Sequence, residues 1–224
     1  MGQERSRLSI RAASQSVRKG RVGTHPLGLS VDRDGLIQVP ESYQPDKAAP
    51  LIVFFHGAGG RAERGVRILQ KQASEAGALL LVPESRDMTW DIIRGGFGPD
   101  TGFVGRALEW ALDRYHVDKK KLAFSGFSDG ASYALSLGIA NGNVATHIMA
   151  FSPGFIRPPK EREGRPAMFI SHGAGDTILP IDQCSRYLVP RLRQAGYFVE
   201  YKEFDGPHAV PAAIAKTAVG WFLS

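Results

Sequence analysis

A single cysteine, Cys184, stands in the 224 residues, so no disulfide can close within the chain and a hydrophobic core must hold the fold. It lies in a predicted helix and reads as a small buried hydrophobe rather than a reactive thiol. No apolar run approaches the roughly 20 residues a helix needs to cross a bilayer, which excludes integral membrane association. The segment from Met1 to Gly20 is charged and Ser-rich without an apolar stretch. It is therefore no uncleaved signal peptide, although a mature form that had lost its leader would look the same. With the lone cysteine, this fits a cytoplasmic protein. Repeats, low-complexity tracts and internal linkers are absent. One domain is expected over residues 26–224, behind an extension of residues 1–25 that is either flexible or packed on an edge. No cluster of His, Cys, Asp and Glu has metal-ligand spacing, so neither a metal nor an organic cofactor is implied.

Basic residues exceed acidic ones, 28 Lys and Arg against 22 Asp and Glu, for a formal charge of +6. They are scattered, apart from Arg5, Arg7, Arg11, Arg18, Lys19 and Arg21 and the run Lys119–Lys121. An aromatic-interleaved basic stripe is missing, so the charge reads as an aid to solubility or weak steering of anionic partners, with no nucleic acid as partner. Monomer and homodimer both remain open.

What is present is ordinary in amount and ordered in arrangement. Hydrophobic residues make up 43% and charged residues 22%, the balance of a soluble globular domain. Leu36–Val39 reads as a short strand and residues 40–50, with Pro40, Pro45 and Pro50, as a loop. Leu51–Phe55 is an apolar run too short for a helix, as suits a strand buried on both faces. Val66, Leu69 and Ala73 recur at helical spacing within Ala62–Ala76, and Gly77 ends that helix. Ala78–Val82 is a second buried strand, closed by Pro83. The stretch from Glu84 to Pro99 is irregular, and a helix is expected over 101–115 with Asp100 as its N-cap. Further strands are predicted at Lys121–Phe124, Thr146–Phe151, Ala167–Ser171 and Phe198–Phe204, and helices at Gly130–Ala140, Asp182–Ala195 and Ala209–Phe222. This alternation predicts an α/β fold, a mostly parallel sheet with helices on both faces and function at the C-terminal strand ends.

Those strand ends carry the chemistry. Gly126-Phe127-Ser128-Asp129-Gly130 is a G-x-S-x-G sequence between a predicted strand and a predicted helix. A sharp turn there strains the serine backbone, and the flanking glycines let neighbouring chain approach closely. The hydroxyl stands above the sheet, beside a helix N-terminus whose field favours developing negative charge. An ordinary Gly/Ser turn is the bland alternative; the strand–turn–helix context favours a nucleophile.

Serine needs a base. His208 follows the last strand and precedes the last helix, on the same edge of the sheet as Ser128. By contrast, His25 lies in the N-terminal extension, His116 ends a helix and His147 starts a strand at the opposite edge. The base needs an acid to hold its tautomer. Asp176, just past Ala167–Ser171, is preferred to Asp182, expected to start a helix, and to Asp205, too near His208 in sequence to reach its ring. His56-Gly57-Ala58-Gly59-Gly60 suits an oxyanion hole with the backbone N–H groups of Ala58 and Asp129 as donors, each worth about 3 kcal/mol in a transition state. A phosphate cradle is the poorer reading, since the Lys-Ser/Thr tail of a P-loop is missing. His56 and His172 are expected to orient their loops by hydrogen bonding. Phe127 and Ile178 are candidate apolar walls for substrate, with Phe155 a further one; Trp90 is either such a wall or a core anchor.

On these residues the sequence resembles the compact, lid-less serine esterases of the phospholipase/carboxylesterase family and their polyhydroxybutyrate depolymerase-like and feruloyl-esterase-like relatives. The resemblance rests on Pro50–Gly60, the elbow Gly126–Gly130, His172-Gly173 with Asp176 and Pro180, and Gly206-Pro207-His208, and spans nearly the whole chain from about residue 36. It implies an α/β-hydrolase fold with no large lid and a short sheet lacking the antiparallel first strands of larger members. It also implies a triad of Ser128, Asp176 and His208, in the chain order of α/β-hydrolases. The expected reaction is acyl transfer through an acyl-enzyme on a small-molecule ester. Two departures matter. Asp129 stands where many relatives carry Gln, Asn or Met, and its charge would disfavour acidic acyl groups. The insert from Ser152 to Pro166 is short and charged, which suits an open cleft better than a lipid tunnel. Dienelactone hydrolases are similar in size but use cysteine where Ser128 stands. A thioesterase or peptidase on the same triad is the enzymatic alternative. A non-catalytic binding protein on this scaffold is another, although no triad member is missing.

Overall fold

A computed structural model describes residues 6–10 and 20–224, so Arg5, Arg11, Arg18 and Lys19 lie outside the described residues. Its centre is an eight-stranded sheet in the order β1(Gly23–Pro26), β2(Gly35–Val39), β4(Leu79–Pro83), β3(Ala49–Phe55), β5(Val117–Phe127), β6(His147–Phe151), β7(Ala167–Gly173), β8(Val199–Phe204). All neighbours from β4 to β8 run parallel. The helices are α1(Ala62–Glu75), α2(Asp91–Arg94), α3(Pro99–Arg114), α4(Asp129–Ala140), α5(Ser185–Gln194) and α6(Ala212–Leu223). This is the expected mostly parallel sheet. The chain leaves β3 towards β4 on one side and β5 towards β6 on the other. A crevice therefore opens between the C-terminal ends of β3 and β5, where open α/β sheets bind ligands.

Strand alternation decides which helix covers which face. On β3, Leu51, Val53 and Phe55 join a cluster with Val104, Ala107 and Leu108 of α3, Ala134 and Leu137 of α4, and Val189 and Leu192 of α5. Ile52 and Phe54 point the other way, into a cluster with Val66, Leu69 and Ala73 of α1 and Ala218, Val219 and Phe222 of α6. The period of two along the strand thus builds two cores, each sealed by helices with an apolar stripe. Burying each large aliphatic side chain contributes about 1.5–3 kcal/mol. Cys184 is buried at 5% exposure, and burial raises its thiol pKa, as suits an inert packing residue.

Several expectations need correction. β1 pairs antiparallel with β2 and β2 antiparallel with β4, so the sheet does carry antiparallel first strands. β1 also straddles the expected domain start at residue 26; its Gly-Thr-His-Pro sequence is mostly exposed and has no apolar alternation to announce a strand. Upstream, Leu8 and Ile10 rest on the core, and the Asn141 side chain accepts from the Leu8 N–H and donates to the Ser6 carbonyl, both at 2.8 Å. Helix α3 starts at Pro99 rather than 101, with Gly98 at its N-cap. Asp100 is not that cap: its carboxylate accepts the N–H groups of Arg86 at 2.5 Å and Asp91 at 2.7 Å. Helix α5 begins at Ser185, and Asp182 instead pairs with Arg186 at 2.9 Å on the surface. The stretch after β4, expected to be irregular, contains α2.

Residues 152–166 hold no helix. They lie along α4, where the hydroxyls of Ser132 and Ser136 accept the N–H groups of Gly154 (3.0 Å) and Arg157 (2.9 Å), so they form no lid. Among the described residues no helix is long and apolar enough to cross a membrane.

Candidate active site

Ser128 sits between β5 and α4 with φ 59° and ψ −123°, a conformation that costs a non-glycine residue about 1–3 kcal/mol. The turn is clamped: the Ser128 N–H donates to the Phe151 carbonyl at 3.0 Å, and the Ser128 carbonyl accepts from Ala131 at 2.9 Å and Ser132 at 3.1 Å. The elbow glycines make room for it. A Cβ on Gly126 would strike the Gly130 carbonyl, and one on Gly130 would strike the carbonyl oxygens of Phe55 and His56. The α4 N-terminus can therefore lie directly on the end of β3.

The loops after β7 and β8 are tied together by hydrogen bonds from Ala174 to the Phe204 carbonyl (2.8 Å) and from Gly175 to the Gly206 carbonyl (3.0 Å). This brings His208 Nδ1 to 2.6 Å from Asp176 Oδ2. The other carboxylate oxygen accepts the N–H groups of Ile178 at 3.0 Å and Leu179 at 2.8 Å. Burial alone would raise the Asp176 pKa, but the Leu179 N–H and then the His208 bond outweigh it and hold the carboxylate below its ordinary value. With Nδ1–H donating to a carboxylate, His208 keeps Nε2 as an acceptor towards the cleft, a tautomer assigned from this partner. The Ser128 hydroxyl makes no hydrogen bond among the described residues, yet it lines the same cleft as His208, whose ring lies 4.6 Å from that of Phe127.

That cleft, of about 180 Å³, is lined by His56, Gly57, Ala58, Gly60, Arg64, Gly65, Ile68, Phe127, Ser128, Ile178 and His208. The loop after β3 is held from several directions. Gly59 donates to the Met88 carbonyl at 2.7 Å, Gly60 to the Gly57 carbonyl at 3.0 Å, and His56 bonds the Gly57 carbonyl through Nδ1 and the Ser85 N–H through Nε2. Burial lowers the His56 pKa, so it is a neutral loop anchor. The backbone N–H groups of Ala58 and Asp129 have no partner among the described residues. The Asp129 side chain is turned to the Thr89 hydroxyl at 2.6 Å.

Of the candidate walls, Phe127 and Ile178 line the cleft, and Phe155 does not. Trp90 is corrected to a core anchor: it is fully buried, stacks on Tyr133 at 4.5 Å and donates Nε1–H to the His56 carbonyl at 2.8 Å. Its polar handle is spent inward on the loop, leaving no face for substrate. Arg64, Gly65 and Ile68 were missed by sequence reasoning. Their signal was available, because α1 starts directly after the Gly-rich loop and residues 64 and 68 share one helix face.

No protein-family model matches the chain. Among curated proteins it is similar to the probable feruloyl esterase C of Aspergillus oryzae, 25% identical over 168 residues, which are 71% of this chain and 60% of that protein. Feruloyl esterase C of Emericella nidulans is 24% identical over 157 residues, 67% of this chain and 57% of that one. The chain thus spans about three fifths of the length of the curated relatives it matches. Among solved structures, esterase PE8 superposes with a TM-score of 0.70 at 18% identity, over 86% of this chain and 99% of that one. The fluorophosphonate-binding serine hydrolase F of Staphylococcus aureus gives 0.72 at 11% identity, over 92% and 99%. The phospholipase/carboxylesterase of Dyadobacter fermentans gives 0.66 at 18%, over 93% and 99%. The fold is that of the α/β-hydrolases.

Proposed function

We propose that this chain is a serine carboxylic-ester hydrolase acting on small or medium esters, with Ser128 as nucleophile, His208 as base and Asp176 as the acid that orients it. The observation that carries the reading is a convergence on one cleft. A strained serine on a strand-to-helix turn, a histidine anchored at Nδ1 by a buried carboxylate at 2.6 Å, and Ala58 with its unpartnered backbone N–H line it together, and the unpartnered N–H of Asp129 follows the serine directly. The esterase names of the relatives point the same way.

His208 Nε2 removes the Ser128 proton as Oγ bonds to the ester carbonyl carbon, and the carbonyl electron pair moves onto oxygen. The N–H groups of Ala58 and Asp129 stabilise that oxyanion, each by about 3 kcal/mol. The tetrahedral species collapses to an acyl-enzyme, and the imidazolium gives its proton to the departing alcohol. Water, deprotonated by His208, then attacks the acyl carbon; the acid leaves and Ser128 recovers its proton. Asp176 holds the tautomer and stabilises the imidazolium in both halves. In the resting site the Ser128 hydroxyl and Nε2 have only to close on each other once substrate excludes water, as hydrolase hydrogen bonds commonly do.

Hydrolysis of p-nitrophenyl acetate, butyrate and octanoate by the wild type and Ser128→Ala tests this, with fluorophosphonate labelling alongside. Turnover and labelling that vanish together in the variant are expected, with the octanoate poorest in so small a cleft. A folded wild type that neither turns over nor labels refutes the reading. Thioester and amide analogues separate the esterase from a thioesterase or peptidase.

A further inference from the structure

The cleft does not end at Ser128. Arg64 and Ile68 also line a wider groove of about 670 Å³ that runs along α1, past Arg67 and Lys71, towards Val210 at the chain just beyond His208. Arg64, Arg67 and Lys71 are spaced three and four residues apart, so they form one stripe along the helix, about 10 Å long at 1.5 Å per residue. All three are exposed, and no acidic side chain lines the groove. None of them is ion-paired among the described residues; Arg67 Nε reaches only the Glu63 carbonyl, at 3.3 Å. Like charges at this spacing repel and weaken a helix. An anion lying in the groove would relieve that repulsion.

The groove also has a direction. In acyl transfer the base protonates the leaving alcohol, so the alcohol portion lies on the His208 side. The groove leads off on that side, beside Val210 and Ala212. The Asp129 carboxylate is bonded to Thr89, which does not line the groove. Resting on the hydrolase reading above, we propose that the substrate is an ester whose alcohol portion carries an anionic oxygen group, a carboxylate or a phosphate, held by Arg64, Arg67 and Lys71. Its acyl portion is small and uncharged. The scattered positive charge of the chain thereby gains one local use, the alignment of an anionic leaving group along α1.

The test compares acetyl esters of 3-(4-hydroxyphenyl)propanoate, of the matching phosphonate and of the neutral propanamide. At low ionic strength the anionic esters are expected to exceed the amide about tenfold in kcat/KM, mainly through KM, and the larger gain identifies which anion fits. The ratio falls towards one in 0.5 M salt, since exposed charges are screened, and in Arg67→Gln/Lys71→Gln, whose thermal midpoint checks that it is folded. Lys119→Gln/Lys120→Gln removes as much charge elsewhere and keeps the ratio. Equal rates for the three esters, or a preference that survives Arg67→Gln/Lys71→Gln, overturn the inference and leave the hydrolase reading standing. A folded wild type that hydrolyses none of them and fails to label with fluorophosphonate overturns both. If the protein labels without hydrolysing them, the protection of Ser128 from labelling by the same three molecules reads the preference directly.

Discussion

Asp91 begins α2, in the loop whose Thr89 hydroxyl bonds Asp129 beside Ser128, and its charge should cost the folded protein stability above neutral pH. Its Oδ2 accepts the N–H groups of Gly98 at 2.8 Å and Asp100 at 3.0 Å, while Oδ1 is buried with no partner among the described residues. Burial first, and the Asp100 carboxylate next, raise the Asp91 pKa from 3.8 to about 6. An acid raised in this way binds more protons folded than unfolded between those two values. Stability therefore falls as pH rises through that window and stays lowered above it. The full difference corresponds to about 3 kcal/mol, and solvent screening at a partly open site reduces the expected cost to about 1–2 kcal/mol. Asp91→Asn keeps an oxygen for the two N–H groups and removes the buried charge. The variant should thus be more stable than the wild type by about 1–2 kcal/mol near pH 8 and about equal to it near pH 4. Urea unfolding across that range at constant ionic strength measures this. A pH-independent difference, or a variant less stable near pH 8, would refute the reasoning.

Gly130→Ala would drive a Cβ into the carbonyl oxygens of Phe55 and His56. Because those belong to β3 and its exit, about 3 kcal/mol or more should be lost; an unchanged thermal midpoint contradicts that packing. Asp176→Asn retains an oxygen for Ile178 and Leu179, so folding should survive, but its amide cannot accept from His208 Nδ1–H. A fall in kcat of about 10³–10⁴ is expected, and near-normal turnover would remove Asp176 from the triad. Trp90→Phe deprives the His56 carbonyl of its donor and should cost about 1–3 kcal/mol, with KM for apolar esters unchanged. A tenfold rise in KM at unaltered stability would restore Trp90 as a substrate wall.

Legibility followed the range of the forces involved. Ile52 to Phe55, Val66 with Leu69 and Ala73, and Gly126 with Gly130 are local patterns whose physics acts within a few residues, and they placed the central strands, α1 and the elbow. Contacts across the chain left no such trace. The N-terminus of α1 has no side-chain cap of its own; buried Glu84, from beyond β4, accepts the Ala62 N–H at 2.9 Å and pairs with Arg61 at 2.9 Å. Asp100 looked like a cap because Asp precedes an apolar helical run, yet its carboxylate serves the backbone of Arg86 and Asp91 instead. Trp90 could have faced either way, and only the neighbouring Tyr133 ring and His56 carbonyl decide it. β1 is held to the sheet by its backbone pairing with β2, which sequence periodicity does not record.

The loop after β7 shows how burial separates residues that look alike in sequence. Two histidines approach Asp176 Oδ2: His208 Nδ1 at 2.6 Å and His172 Nε2 at 3.2 Å. His172 is fully buried; its Nδ1 meets the Ser185 hydroxyl at 2.7 Å and its Nε2 the Leu179 carbonyl at 2.8 Å. A carbonyl can only accept, so Nε2 carries the proton and Nδ1 accepts from Ser185, which leaves no ring nitrogen free to take up another. Burial, outweighing the Leu179 and Asp176 contacts, lowers its pKa and keeps it neutral. His208 has the same carboxylate at one nitrogen, an open cleft at the other, and 14% side-chain exposure through which substrate can reach it. Asp176 is therefore held by one fixed, neutral histidine and in turn holds a second whose other ring nitrogen faces the cleft, the arrangement that the proposed role of His208 as base needs.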